Sequence, residues 1–181
     1  LAEMAFATPL KSEINAKLLS YWQSLITAPE TMPTRPAYCP IDMPREILPH
    51  VFLCQISPDP FEVLIRLQGT YIVERAGQHH SGKTITAETF GTDYRAVKQV
   101  YRKVYEEAVP LVTEERVASP DGLYVVMEVL HLPLADGDCK DKVSFVTGSL
   151  DIIGGNSKSW MEFRAQQWSV IRSDLLHSVA A

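Results

Sequence analysis

The chain has 181 residues, 46% of them hydrophobic, and a formal net charge of −5, which is enough apolar material for one domain with a sizeable core. That charge, with no run of Lys or Arg, gives no general attraction to phosphate backbones or anionic lipid, so neither nucleic acid nor a membrane is an expected partner. No apolar run approaches the roughly 20 residues of a spanning helix, and no basic-then-apolar leader is visible, so a cytoplasmic location is expected.

Thr8-Pro9 is a helix start, Thr8 as N-cap and Pro9 in the first turn. Ile14, Leu18, Tyr21, Trp22, Leu25 and Ile26 follow at helical spacing. Pro29, Pro33, Pro36 and Pro40 then forbid regular structure, and residues 28–40 read as an extended connector. Residues 42–48 allow a helical turn. Residues 51–56 and 61–69 read as a strand pair across the Ser57-Pro58-Asp59-Pro60 turn. Glycines 77, 82 and 91 break residues 71–92 into short helices and turns. A longer helix runs over 93–108, capped by Asp93, with Tyr94, Val97, Val100, Tyr101, Val104 and Tyr105 on its apolar face.

Three strand-like runs follow, over 111–118, 123–132 and 143–151. In the first, Leu111, Thr113, Glu115 and Val117 share a face. Pro120-Asp121-Gly122 turns the chain into the second, and 133–141 is a loop. Gly154-Gly155-Asn156-Ser157 breaks the chain before a final helix predicted over 157–178. The chain thus divides into an N-terminal helix and connector (1–40), a central domain (41–152) and a C-terminal helix (153–181).

Five strands with helices inserted between the second and third predict an α+β domain, an antiparallel sheet covered by helices on one face. That is the element order of a PAS domain. Trp22 in a leading helix, Pro33-x-Arg35, Leu67-x-Gly69-Thr70, Gly77 with Ser81-Gly82-Lys83, and Leu132-Pro133-Leu134-x-Asp136-Gly137 together resemble a bacterial family of short, stand-alone PAS-domain proteins. The chain departs from that pattern at Gln78 and His79, where an acidic residue often stands, and at Ala135, where a serine is usual. The resemblance implies a non-enzymatic sensory module that signals by repacking its flanking helices on ligand or partner binding. The alternative is an enzyme or carrier using the same pocket, and an orderly acid–base pair inside a cavity would favour it.

No catalytic residue is assigned, because no nucleophile elbow or dinucleotide fingerprint is present. Gly77-x-x-x-x-Gly82-Lys83-Thr84 fits a phosphate loop on spacing, but residues 71–76 separate it from the preceding strand and Thr84-Ile85-Thr86 starts a helix poorly. His79-His80 reads as two solvated loop histidines rather than a metal site. No cofactor is expected: the long helix offers no histidine for haem, and no Asn-Cys-Arg motif offers a flavin cysteine. Of the three cysteines, Cys54 reads as a small core residue, while Cys39 and Cys139 sit in loops; none makes a C-x-x-C pair, and reduced thiols are expected. Arg66 and Glu128, charges in apolar strands, are the candidate ligand-binding residues, joined by Thr70 and Tyr94. Trp22, Trp160, Phe163, Trp168 and Ile171 on the terminal helices are the candidate interface of a homodimer. A protein signalling partner is implied but not identified.

Overall fold

The computed structural model describes residues 9–28, 31–91, 94–137, 141–159, 163 and 167–176, the side chains of Gln167 and Trp168 excepted. Its centre is one antiparallel sheet of six strands: β1 (Val51–Pro58), β2 (Phe61–Gln68), β3 (Leu111–Ala118), β4 (Tyr124–Ala135), β5 (Val143–Gly155) and β6 (Gln167–Leu175), in spatial order β2-β1-β5-β4-β3-β6. The first five strands meet the expected count, and the sixth replaces the predicted C-terminal helix. Residues 167–175 pair antiparallel with β3 from Ala118↔Gln167 to Leu111↔Leu175. The free edge of β3 offers a ladder of backbone partners, and pairing with it outweighs the helical spacing of the apolar residues.

The strand alternation sorts two cores. On one face Phe52, Cys54, Val63, Ile65, Val117, Met127, Val129 and Leu150 pack beneath α2 (Thr70–Ala76), α3 (Ala87–Phe90) and α4 (Tyr94–Glu107). On the other, Leu53, Val112, Leu130, Leu132 and Leu134 pack against Leu18, Leu19 and Trp22 of α1 (Glu13–Ser24) and against Tyr38, Met43 and Ile47. Both faces are covered. Residues 10–28 and 31–40 fold onto the sheet as its second layer.

Trp22 is 4% exposed and its indole N–H donates to the Pro133 carbonyl at 3.0 Å. Its placement inside the protomer corrects the expectation that it faces a second copy. Thr8 lies outside the described residues; the N-cap of α1 is Ser12, whose hydroxyl accepts from the Asn15 N–H at 3.3 Å. Asp93 also lies outside the described residues.

Two strands run longer than predicted. β4 continues through Pro133, because the β3–β4 pairing ends at Leu111↔His131 and the missing proline N–H breaks no ladder there. β5 continues through Gly154 and Gly155, which pair with Val126 and Val125. The Gly69-Thr70 step owes its glycine to a close approach: a Cβ on Gly69 would stand 2.1 Å from the Pro49 carbonyl oxygen. The chain can turn from β2 into α2 against residues 48–49 only without a side chain there.

Candidate functional site

Between the sheet and α2–α4 lies a cavity of ≈ 400 Å³, within the range of small-molecule sites. Its floor is the inner face of the strands: Phe52 and Cys54 from β1, Ile65 and Gln68 from β2, Glu115 from β3, Val129 and His131 from β4. Its roof takes Ile72 from α2, Phe90 from α3 and Tyr101 from α4, and Phe163, 7% exposed, closes one side. Phe163 was expected at a dimer interface; its ring belongs to this wall instead.

The deeply set polar groups of the lining include Cys54, Tyr101, Glu115 and His131. Cys54 Sγ donates to the Tyr101 hydroxyl at 3.6 Å, and Thr113 Oγ1 donates to Glu115 Oε1 at 2.6 Å. Burial pushes the Cys54 thiol up to about 12, so it stays protonated and unreactive. Burial first, and then the neighbouring Cys54 and Glu115, push the Tyr101 hydroxyl well above the ordinary range. His131 is 2% exposed and meets the rings of Phe52 and Tyr101 edge-on at 5.7 Å and 5.3 Å between centroids. Burial pushes its imidazole down to about 4, against a smaller opposing effect of the Leu111 and Val129 carbonyls. Among the described residues its Nδ1 has no hydrogen-bond partner.

His79 and His80 part company. His79 is exposed, as expected, whereas His80 is buried, stacks on Phe90 at 5.7 Å and lines the cavity. Its backbone N–H donates to Gln68 Oε1 at 2.7 Å, which draws the loop over the sheet. Burial lowers its pKa, with Lys83 and His79 adding to the shift. No Nδ1 partner exists for it among the described residues. Nor do those residues bring three His, Cys, Asp or Glu side chains together as metal ligands.

The four residues singled out from the sequence do not meet. Arg66 and Thr70 are exposed, and the Tyr94 hydroxyl accepts a long contact from Arg95 Nε at 3.4 Å. Glu128 is 2% exposed but lies on the opposite face of β4 from the cavity. There Oε2 accepts from the Lys11 N–H at 2.8 Å, and Oε1 accepts from the Ser12 N–H and Asn15 Nδ2, each at 3.0 Å. Ser12 Oγ in turn donates to Asp151 at 2.7 Å, and Ser149 Oγ donates to Asn15 Oδ1 at 2.6 Å. A carboxylate thus closes the positive end of α1 and ties that helix to β4 and β5.

The phosphate-loop spacing has no phosphate-loop geometry. Gly77 is the left-handed C-cap of α2, with φ 65°. The N–H groups of Gly82, Lys83 and Ile85 donate to the carbonyls of Ile65, His80 and Val63, so they cannot cradle an anion.

The residues that build the cavity were visible in part. Glu115 sits in phase with Leu111, Thr113 and Val117, which marks it as inward-facing. Tyr101 stands on the apolar face of α4. His131 and His80 carry no local signal, because a loop and a long apolar strand leave the direction of a side chain open.

No helix among the described residues is long and apolar enough to cross a membrane. No match was found among curated proteins or among solved structures. Residues 10–151 match a family profile described as PAS domain, which spans α1 through most of β5. With that match, and with a β2-β1-β5-β4-β3 sheet under helices that enclose a cavity, the chain belongs to the PAS domain family.

Proposed function

We propose that this domain is a non-enzymatic sensory or regulatory module that binds a small molecule in the cavity between the sheet and α2–α4. The observation that carries the reading is a ≈ 400 Å³ space lined by two buried histidines whose Nδ1 atoms are unpartnered among the described residues. Buried polar groups are ordinarily paired, and a ligand is a natural partner. The alternative, an enzyme, has a carboxylate and an imidazole in the cavity to draw on; it predicts that an added ligand is released altered.

Two connections would carry occupancy outward. β4 presents Val129 and His131 to the cavity on one face and holds α1 through Glu128 on the other. β3 presents Glu115 to the cavity, and its pairing with β6 shifts register between Glu114 and Glu115. A ligand that pushes on these side chains biases the docking of α1 and β6. A protein partner reading those elements is part of the proposal.

A homodimer is also part of it, with the contact moved from a helix to the β6 edge. β6 is the outer strand and Ile171 on it is 55% exposed. Trp168 lies on the same strand; Trp160 lies outside the described residues.

Native mass spectrometry of the purified chain tests ligand and oligomeric state together. The expected result is a dimer carrying a non-covalent small molecule that leaves chemically unchanged. Hydrogen exchange should then slow in α1 and β6 on rebinding. Exchange that changes only around the cavity would refute the signalling route.

A further inference from the structure

The cavity has a closed end and an open one. Cys54, Tyr101 and His131, 1%, 7% and 2% exposed, meet at the closed end, Cys54 against the Tyr101 hydroxyl and Tyr101 against the His131 ring. The lining residues that reach solvent are Gln68, Ala76, Gln78 and residues 88–91. They place the mouth between the end of β2, the loop over residues 77–82 and α3. Two rings meet across that mouth. His80, itself buried, stacks on Phe90 with centroids 5.7 Å apart and planes 29° from parallel.

Each ring stands on a light support. The His80 backbone N–H is drawn to β2 by Gln68 Oε1 at 2.7 Å. Its Nδ1 has no partner among the described residues, so swinging the ring outward breaks no hydrogen bond at that atom. α3 is a single turn of four residues, closed on itself by the Thr86–Thr89 capping box. The other walls are built differently. Phe52, Ile65 and Val129 project from laddered strands, and Tyr101 projects from a helix of 14 residues. Opening the cavity there would break a ladder or unseat that helix, whereas parting two rings breaks neither.

We propose that small molecules enter between the 77–82 loop and α3, and that the His80–Phe90 ring pair is the gate, tethered to β2 through Gln68. The proposal rests on the cavity reading above for what the gate admits.

Cys54 reports the gate without any ligand, because its thiol lines the closed end. The full chain is treated with methyl methanethiosulfonate, and peptide mass spectrometry follows Cys54 apart from Cys39 and Cys139. Urea unfolding gives the global stability of each variant. On the unaltered chain, Cys54 should label faster than global unfolding allows, at a rate nearly independent of low urea. A ring pair is equivalent to roughly two- to twelvefold in an equilibrium. His80→Ala and Phe90→Ala should therefore each speed labelling at least about threefold beyond any change in global stability, and Gln68→Ala, which cuts the tether, should do the same. Ile72→Ala and Phe163→Ala, in the roof and the side wall, should speed it by less than about twofold on the same basis. Labelling that rises with urea in step with global unfolding overturns the gate, and so do wall variants that match the ring variants. If a ring variant fails to fold, the urea dependence of the unaltered chain and Gln68→Ala decide. Failure of the cavity reading looks different: native mass spectrometry finds no small molecule while Cys54 still labels through the gate.

Discussion

Glu128→Gln separates the two faces of β4. The glutamate accepts three hydrogen bonds at the start of α1, from the Lys11 and Ser12 N–H groups and from Asn15 Nδ2, at 2.8 to 3.0 Å. A glutamine keeps the shape and one carbonyl oxygen. Its best orientation leaves that oxygen to Ser12 and Asn15 and turns the amide NH2 toward the Lys11 N–H, where donor faces donor. One buried donor left unpaired costs about 1–3 kcal/mol, the low end applying here because the Lys11 bond is only partly buried. Loss of the negative charge at the helix N-terminus adds about 0.3–1 kcal/mol. The sum is about 1.3–2 kcal/mol, or roughly a 10- to 30-fold rise in local opening of α1. Glu128→Ala leaves all three donors unpaired and should cost about 3–5 kcal/mol. Hydrogen exchange over residues 13–24, with urea unfolding for the global stability, measures both. Binding of any cavity ligand should change little, because Glu128 faces away from it. Protection in α1 that drops by less than about fivefold would refute the latch. Ligand binding lost while α1 stays docked would return Glu128 to the role first read from the sequence.

Stability should fall with acid in a window set by the buried imidazoles. The folded pKa of His131, about 4, lies below the ordinary 6.5, so the unfolded chain binds the extra proton between them. Stability is therefore full above pH 6.5 and declines as pH falls toward 4, by at most about 3 kcal/mol from this residue. His80 shifts in the same direction. His131→Phe should flatten the curve between pH 4 and 6.5, as followed by thermal unfolding at each pH; an unchanged slope would mean the ring is not buried neutral. Gly69→Ala should destabilise by about 3 kcal/mol or fail to fold, since its Cβ would meet the rigid Pro49 carbonyl at 2.1 Å; a urea midpoint equal to that of the unaltered protein would remove the close approach. Mg-ATP should give no micromolar binding in calorimetry, and Lys83→Ala should change nothing, because the loop's N–H groups are already spent; saturable binding lost in that variant would reinstate the phosphate loop.

Much of the architecture is local information. The strand pair around Ser57-Pro58-Asp59-Pro60, the apolar stripe Val97, Val100, Tyr101 and Val104 on α4, and the alternation of Leu111, Thr113, Glu115 and Val117 each follow from periods of 3.6 or 2 and from turn residues. They sufficed for the order of elements as far as β5 and for the family resemblance. What the tertiary structure decided is where a residue's direction depends on a distant partner. Residues 167–175 carry apolar groups that suit a helix, yet the open edge of β3 makes them a strand, and no local signal reports an open edge. Glu128 lies in a run so apolar that both faces look alike. Only the arrival of Lys11, Ser12 and Asn15, more than 110 residues earlier in the chain, makes the outward face its place. His80 and His79 are neighbours of the same type; the Gln68 side chain and the Phe90 ring turn one inward and leave the other in solvent. A cavity is the sum of such choices, and each is made by contacts far apart in sequence.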